Sequence, residues 1–489
     1  MSLPDPISVP LKQAATALVC GLLLVWGNAG NPIGLRHALI GAFLLVWCLD
    51  CFRNRAFLPH LPRWLTAGVL LLLIHTLLSA LLSIDPRLGL THWWHDFAAP
   101  LLLALAAAHF APDLRLPWVA AAALAALAVN SLTDLAQVVL MPQNPTLWHG
   151  LFSDYGWENG FLLLTLPLCW GLWVYVRQVP ARPSVYLTLP LLEGLALLAC
   201  LSAWSRANTL CLVLTAVLTF STLLCMQPWS LPQIRRLVAR SVVIGVVAFV
   251  YDLALASRIS IGVFSHFDLY WILTSTPLLL LLIPFRFRRQ ALAGVAAAVV
   301  ALGCLGLVLL YQKASLKNTE SDLVRRFSYR EVLSDPGFHP FFGLGPGRDM
   351  VLKGKPDWHP RMQTHILPLL GEKNIPSELL ETPAHGGHSH IQWINWRYEI
   401  GWVGLGLVLG LLGVSTWLFL RGLVLARLTP VTLGLGAALL AFNLDIPMGL
   451  NHAASLAQQH WLMWGLFAGL TCFHTTRAED PAPALPERP

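Results

Sequence analysis

The stretch GWVGLGLVLGLLGVSTWLFL, Gly401–Leu420, contains no charged side chain. A helix of about 20 apolar residues is long enough to cross the hydrocarbon core of a bilayer. Comparable apolar runs recur along nearly all of the 489 residues, of which 56% are hydrophobic and only 12% charged, and the mean hydropathy is +0.63. A soluble protein of this length needs more surface charge. The sequence therefore predicts a polytopic membrane protein.

The apolar runs predict an all-α fold, a transmembrane helix bundle of about 12–14 spans. Two of the runs are less regular, because Asp252 and Asp268 interrupt or border them. The fourteen candidate spans centre near Leu22, Phe43, Leu72, Leu103, Leu124, Leu166, Leu191, Leu214, Val246, Leu278, Val300, Leu409, Leu439 and Leu466.

Lysine and arginine predict the orientation of the bundle, because cytoplasmic loops carry an excess of both. With the N-terminus in the cytoplasm, basic residues concentrate in alternate connecting segments. The predicted short external loops hold only Arg36, Arg87, Arg206 and Arg258. We therefore expect both termini in the cytoplasm. The net charge of +7 follows from this topology and gives no nucleic-acid signal, because no basic stripe with interleaved aromatic residues is present.

This topology divides the chain into four regions. Residues 1–312 form the first part of the transmembrane bundle, and residues 400–476 form its C-terminal spans. Residues 313–399 form one large extracytoplasmic loop containing short helices. A loop of this length inside a compact bundle is usually functional. Residues 477–489, with their Pro-Ala repeats, are expected to form a disordered cytoplasmic tail.

A histidine-rich run, PAHGGHSH at Pro383–His390, ends just before the apolar helix. His385, His388 and His390 are spaced like metal ligands. However, no cysteine or carboxylate stands at a matching offset and no H-E-x-x-H motif is present, so we predict no metal. Two interpretations stay open, namely polar residues of a solvated loop and a catalytic histidine at the membrane surface.

Two arginine-containing stretches could bind an anion. Arg206 lies between two predicted spans, where snorkelling from a helix end is the ordinary interpretation and a phosphate site the functional one. Arg325, Arg326 and Arg330 lie in a segment with helical spacing, which predicts a helix on the membrane surface. Its arginines could equally be solvated.

Three patches together resemble the O-antigen ligase and O-antigen polymerase superfamily of bacterial inner membranes. The family has a Ser-Arg-Gly-Ala motif at an external helix end, which SRAN at 205–208 resembles. It also has an Arg shortly before a His-Pro-Leu-x-Gly-x-Gly turn, and here Arg325 precedes HPFFGLG at 339–345. That turn lacks the Lys-Ser/Thr of a P-loop, so we predict no nucleotide site.

The third patch in the family is a histidine, eight further residues and then Glu-x-Gly-x-x-Gly. The matching residues are His390, Glu399, Gly401 and Gly404. The family usually has Asn after this histidine, whereas Ile391 follows His390. Spacing therefore favours His390, while the polar neighbour Ser389 slightly favours His388. The resemblance covers mainly residues 159–407.

The resemblance implies a membrane glycosyltransferase, most like O-antigen ligase, in the bacterial inner membrane with a periplasmic active site. The donor would be a glycan on undecaprenyl diphosphate and the acceptor a sugar hydroxyl of lipid A–core. No cofactor, metal or nucleic acid is implied, and membrane lipids surround the bundle. Arg206 and Arg325 would bind the donor diphosphate, with Arg326 as a further candidate. His390 would act as general base or orient the hydroxyl. The secondary candidates are His388, Glu399 and Arg330.

Other functions stay open. The same superfamily includes O-antigen or exopolysaccharide polymerases and protein O-oligosaccharyltransferases, which differ in their acceptors. A transporter or lipid flippase is an alternative of another class, because acidic residues in or near the spans could form an ion path. These residues are Asp134, Glu193, Asp252 and Asp445. Against this alternative, the sequence shows no repeated halves.

Overall fold

The structure is a computed structural model. It describes residues 8–26, 33–54, 61–83, 85–140, 155–178, 189–196, 206–226, 230–256, 276–282, 339–347, 392–425, 427–448 and 453–479, together with a few isolated positions. These residues are helical apart from short turns and connections, and no strand occurs among them. The expected all-α class is therefore confirmed for this part of the chain.

The helices are of two kinds, short helices in the connections and long apolar helices. Helix α4 continues through a π-helical segment, Trp94–Ala98, into α5, and a 3₁₀ segment covers Thr276–Leu282. In chain order the helices are α1 (Ser8–Trp26), α2 (Ile33–Asn54), α3 (Arg63–Leu81), α4 (Pro86–Trp93), α5 (Ala99–Phe110), α6 (Leu116–Leu140), α7 (Tyr155–Gln178), α8 (residues 189–196), α9 (Arg206–Met226), α10 (Leu231–Ala256), α11 (Gln392–Val424), α12 (Pro430–Met448) and α13 (Ala453–Glu479).

Five of the described helices are long and apolar enough to cross a membrane. The qualifying stretches are Val9–Trp26, Gly34–Asn54, Arg63–Leu81, Leu116–Gln137 and Trp393–Val424. Shorter apolar helical stretches cover Gly160–Leu172, Leu210–Met226 and Pro430–Ile446. The centres of the predicted spans fall in described helical segments, except Val300, which lies outside the described residues. The larger number of spans stays a prediction.

Two predicted region boundaries can be compared with the helices. Helix α11 begins at Gln392, inside the predicted loop 313–399, and its backbone breaks at Gly401, next to the predicted boundary. Most of that loop lies outside the described residues. Helix α13 ends at Glu479, so the first residues of the predicted tail continue the last helix.

The centre of the molecule consists of tightly packed helix pairs. Gly465 and Gly469 of α13 lie against the backbone of Ala104 and Ala108 in α5. Gly171 of α7 lies equally close to the backbone of α12. Small residues allow such close approach of apolar helices, where lipid-like surroundings provide little hydrophobic drive.

A buried ion pair joins α8 to α10. The Arg240 Nε donates to Glu193 Oε2 at 2.8 Å, and a second guanidinium nitrogen donates to Oε1. Trp170 Nε1 of α7 also donates to Glu193 Oε1, at 3.0 Å, and the guanidinium lies 4.5 Å from the ring centre of Phe220 in α9. Four helices therefore share one polar contact inside an apolar core.

Candidate functional site

A nine-residue turn, His339–Gly347, docks onto the broken start of α11, and we call it the docked turn. In an unbroken helix the N–H of residue 402 would donate to the carbonyl of residue 398. Here Trp402 N donates instead to Pro340 O at 2.8 Å, and the Tyr398 carbonyl accepts from Leu344 N at 2.9 Å. Gly345 N donates to Glu399 O at 2.9 Å. The break in α11 thus supplies the hydrogen bonds that hold the turn.

Glycines make this docking possible. Gly343, Gly345, Gly347 and Gly401 have φ of 71°, 96°, 76° and 69°, a region that L side chains rarely adopt. Space is restricted as well, since a Cβ on Gly343 would lie 2.5 Å from Glu399 O. A Cβ on Gly401 would collide with the Phe341 carbonyl. This gives a physical reason for the glycines in two of the patches that carry the family resemblance.

Side chains of helix α3 form hydrogen bonds to the docked turn and to the break in α11. Ser79 Oγ lies 2.5 Å from Phe342 O and 2.8 Å from Glu399 O, so one buried hydroxyl serves both the turn and the break. His75 Nε2 lies 2.9 Å from Ile400 O and must donate, because the partner is a carbonyl. The His75 ring also stacks on Phe342, with 5.3 Å between ring centres. Neither residue belongs to a recognisable motif, so neither was predicted from the sequence.

Glu399 is the one predicted site residue whose side chain the structure describes. It is 9% exposed, and its Oε1 accepts from Gly347 N at 3.0 Å. The carboxylate therefore holds the far end of the docked turn. Its position beside the turn was not predicted, because the two patches are distant in the sequence.

A histidine of α4, paired with a carboxylate of the π-helical segment, lies against the same turn. His92 Nδ1 lies 3.2 Å from Asp96 Oδ2, and the two side chains are 24% and 27% exposed. A Cβ on Gly347 would meet the His92 ring, including Nε2 at 2.9 Å. The His92 ring therefore lies directly against the turn that Glu399 holds. Neither residue was predicted from the sequence.

Exposed aromatic residues flank the site. Phe341 at the tip of the turn is 62% exposed, and Trp402 is 52% exposed with the Arg397 guanidinium 4.5 Å from its ring centre. Farther along α11, Trp417 is 51% exposed beside Arg421. A helical rise of about 1.5 Å per residue separates the two tryptophans by roughly 22 Å. Such aromatic and basic pairs are typical of the two interfaces of a bilayer.

The other predicted residues are placed only in part. Arg206 is the first residue of α9, and nothing of its side chain is described. The remaining predicted arginines and histidines lie outside the described residues: Arg325, Arg326, Arg330, His388 and His390, together with His385. Only Ile391 separates His390 from the start of α11. The structure thus joins the second and third patches through the docked turn and Glu399, and leaves the roles of the arginines as predictions.

Comparisons with known proteins add no family assignment. The chain matches no protein-family model, and no curated protein matches it. Within the described part of the chain, no group of three or more His, Cys, Asp or Glu residues is arranged to hold a metal ion. The function is therefore argued from the residues and their geometry.

Proposed function

We propose that this protein is a membrane glycosyltransferase similar to O-antigen ligase. It moves a glycan from undecaprenyl diphosphate to a sugar hydroxyl of lipid A–core, at the periplasmic face of the bacterial inner membrane. The observation that supports it most is the docking of His339–Gly347 onto Tyr398–Trp402. Two of the three patches that carry the resemblance form one hydrogen-bonded unit there.

The docking of the turn fixes one end of each of two long segments of chain at the N-terminal part of α11. The segment that ends at His339 carries Arg325, Arg326 and Arg330, and the segment that ends at Gln392 carries His388 and His390. Because the turn is bonded to α11, the ends of both segments are fixed at the start of an apolar helix. A lipid diphosphate reaches a membrane surface at this level, where charged groups can contact it.

The transfer needs positive charge and a proton acceptor. The acceptor oxygen forms a bond to the anomeric carbon of the donor sugar while the bond from that carbon to the diphosphate breaks. The diphosphate leaves with the electron pair, and Arg206 and Arg325 stabilise the growing negative charge. His390 takes the hydroxyl proton or orients the hydroxyl. The donor bond supplies the free energy, so the reaction uses no nucleotide.

The contacts of Glu193, one of the four acidic residues on which an ion-driven transporter would depend, weaken that alternative. Glu193 makes two hydrogen bonds with Arg240 and a third with Trp170, inside the core. A carboxylate bound in this way is a structural tie between helices and a poor carrier of protons or ions. We therefore favour the transferase over the flippase.

A deletion strain distinguishes the candidate functions. We expect lipid-linked glycan to accumulate on the outer leaflet of the inner membrane, and lipid A–core to lack the glycan. Complementation with the wild-type gene should restore the glycan, and His390→Ala should not. Accumulation on the inner leaflet would indicate a flippase. Normal lipid A–core with shortened glycan chains, or with an unglycosylated protein, would identify a polymerase or a protein glycosyltransferase.

A further inference from the structure

We propose that an anionic glycerophospholipid binds in an apolar crevice between helices α6, α7 and α12. One acyl chain occupies the crevice, and the phosphate of the headgroup contacts Arg115 and Arg427. Arg427 follows the last turn of α11, whereas the docked turn bonds to the first turns of the same helix. The crevice is therefore separate from the candidate transferase site, and the inference does not depend on the proposed function.

The first support is the crevice itself. Its empty space is about 530 Å³ with the open mouth included, which falls in the size range of pockets for small ligands. Every side chain that lines it is apolar, including Leu116, Ala120 and Ala123 of α6, Leu172 of α7 and Pro430 of α12. An ordered water needs several polar partners, which these side chains do not provide. The lining therefore selects an apolar occupant.

The shape of the crevice suits a chain that lies along the helices. On α6 the lining begins at the first residue, Leu116, and extends to Ala123, a distance of about 10 Å at the helical rise of about 1.5 Å per residue. On α12 it likewise begins at the first residue, Pro430, and extends to Leu435. The methylene groups of an acyl chain supply the dispersion contacts that an empty space would lack.

The crevice is accessible from the outside of the bundle. Leu116, Ala120, Leu172 and Pro430 are each only partly buried. Helix α6 contains one of the stretches that are long and apolar enough to cross a membrane, and Trp118 in its first turn is 65% exposed. Exposed tryptophans are typical of the interface between lipid and water. We therefore expect membrane lipids to reach this mouth.

The second support is positive charge at the same end of both helices. Arg115 directly precedes α6, Arg427 lies three residues before α12, and both are exposed. In the described part of the chain, neither guanidinium has a hydrogen-bond or ion-pair partner. Asp113, the acidic residue nearest to Arg115 in the sequence, is paired with Lys12 at 2.7 Å. Basic residues between membrane helices bind anionic headgroups, so charge favours phosphatidylglycerol over zwitterionic phosphatidylcholine.

Photo-crosslinking of the purified full-length protein in lipid nanodiscs tests the inference. The probe is phosphatidylglycerol with a diazirine on one acyl chain, and the labelled residues are identified by mass spectrometry of peptides. We expect the label to concentrate at residues 116–123 and 430–435. A phosphatidylcholine probe with the same acyl chains should label these residues about tenfold less, because two basic residues favour the anionic headgroup.

Variants test the acyl chain and the headgroup separately. Ala120→Trp fills the crevice and should remove the label from residues 430–435. The matched control is Ala121→Trp, which adds the same side chain at an exposed position outside the lining and should leave the label unchanged. Arg115→Gln combined with Arg427→Gln leaves the crevice intact and should lower labelling by phosphatidylglycerol about tenfold. Melting temperatures in detergent check that each variant is folded.

Two results would overturn the inference. Equal labelling by the two probes, or phosphatidylglycerol labelling that survives the double arginine variant, would show that the arginines serve only the topology. A wild-type crevice without label would show that protein covers the space. None of these measurements involves glycan transfer, so a negative result leaves the transferase proposal standing, and a protein without transfer activity can still show the lipid site.

Discussion

Single glycines determine whether the docked turn can sit on α11. Gly401 combines a φ of 69° with a backbone contact from Phe341, so the position excludes a side chain on two grounds. The carboxylate of the nearby Glu399 and the hydroxyl of Ser79 then bond to the turn that the glycines allow to dock. At this scale, catalysis would depend on backbone geometry as much as on charged groups.

Replacing Gly401 tests this dependence. Gly401→Ala forces an L residue into a backbone conformation, φ 69° and ψ −175°, that is almost restricted to glycine, at about 1–3 kcal/mol, and adds the collision with Phe341. We expect the turn to detach and glycan transfer to fall at least tenfold, with the region 339–347 becoming sensitive to protease. The control is Gly406→Ala in the same helix, where a Cβ meets no atom within 4 Å. Equal activity of the two variants would show that the docking is dispensable.

The histidine assignment makes a separate prediction. His390 has the family spacing to Glu399, so His390→Ala should abolish transfer while the protein remains inserted in the membrane. His388→Ala, two residues away, should have a milder effect and serves as the matched control. Both variants are measured for transfer and for amount in the membrane fraction. A reversal of the two effects would assign the role of base to His388.

Sequence patterns predicted some residues of the site and missed others for physical reasons. The glycines and Glu399 were found because fixed spacing within a short segment is visible in one sequence. The contact of Glu399 with Gly347 was not predicted, because it joins residues that are 52 positions apart in the sequence. His75 and Ser79 were missed because isolated polar residues in an apolar helix usually satisfy local backbone groups. Here they bond to the docked turn and to the break in α11.

Individual helices are held together by a few specific contacts in the apolar core. The Glu193–Arg240 pair links α8 to α10, and Trp170 and Phe220 add α7 and α9. Both charged side chains are almost completely buried. Removing one partner leaves the other charge uncompensated in an apolar environment. This lowers the stability of the fold far more than removing both charges does.

Breaking this pair gives a prediction for stability. Glu193→Gln should destabilise the protein by about 3–5 kcal/mol, seen as a lower melting temperature in detergent. The double variant Glu193→Leu with Arg240→Met should recover much of the loss, because no buried charge remains. Asp113→Ala, which breaks the half-exposed contact with Lys12 at 2.7 Å, is the control and should cost about 1 kcal/mol or less. A Glu193→Gln variant that is as stable as wild type would show that the buried ion pair does not stabilise the fold.

The prediction of elements from sequence succeeded where helices are long and apolar. The five helices that are long and apolar enough to cross a membrane come from long runs of apolar residues, which favour a membrane helix. Helix α4 was not predicted, and its Arg87 was placed in an external loop; the helix, Pro86–Trp93, is too short for a span. Its start signal, Asp85 followed by Pro86, is readable in principle. The π-helical segment after it has no sequence signature, since it depends on packing against α5 and α13.

Charge predicts how the molecule is oriented in the membrane. Arginines concentrate in alternate connecting segments, which predicts that those segments are cytoplasmic, whereas the exposed tryptophans near both ends of α11 mark no preferred side. With this predicted orientation, we expect the docked turn and the His92–Asp96 pair on the periplasmic side. The tight contacts of α5 with α13 and of α7 with α12 connect the two ends of the chain across the bundle.

Cysteine labelling tests this orientation. In a variant whose native cysteines are replaced, Thr91→Cys on the exposed side of α4 should react with a membrane-impermeant maleimide in intact spheroplasts. Arg427→Cys, exposed between α11 and α12, should react only after lysis. The charge distribution predicts this difference. The opposite pattern would place the docked turn in the cytoplasm and would exclude a periplasmic transferase.

The central claim is that Arg206 and Arg325 act on one donor diphosphate, although 119 positions separate them in the sequence. The most direct measurement is the rate of transfer from purified undecaprenyl-diphosphate glycan to lipid A–core. Charge develops on the leaving group in the transition state, so Arg206→Ala and Arg325→Ala should each lower turnover about tenfold to a few hundredfold. Arg206→Lys and Arg325→Lys should retain only part of the wild-type turnover, because an ammonium group cannot form the bidentate contact. Rates close to wild type in both alanine variants would contradict the claim and remove the basis for a glycan transferase.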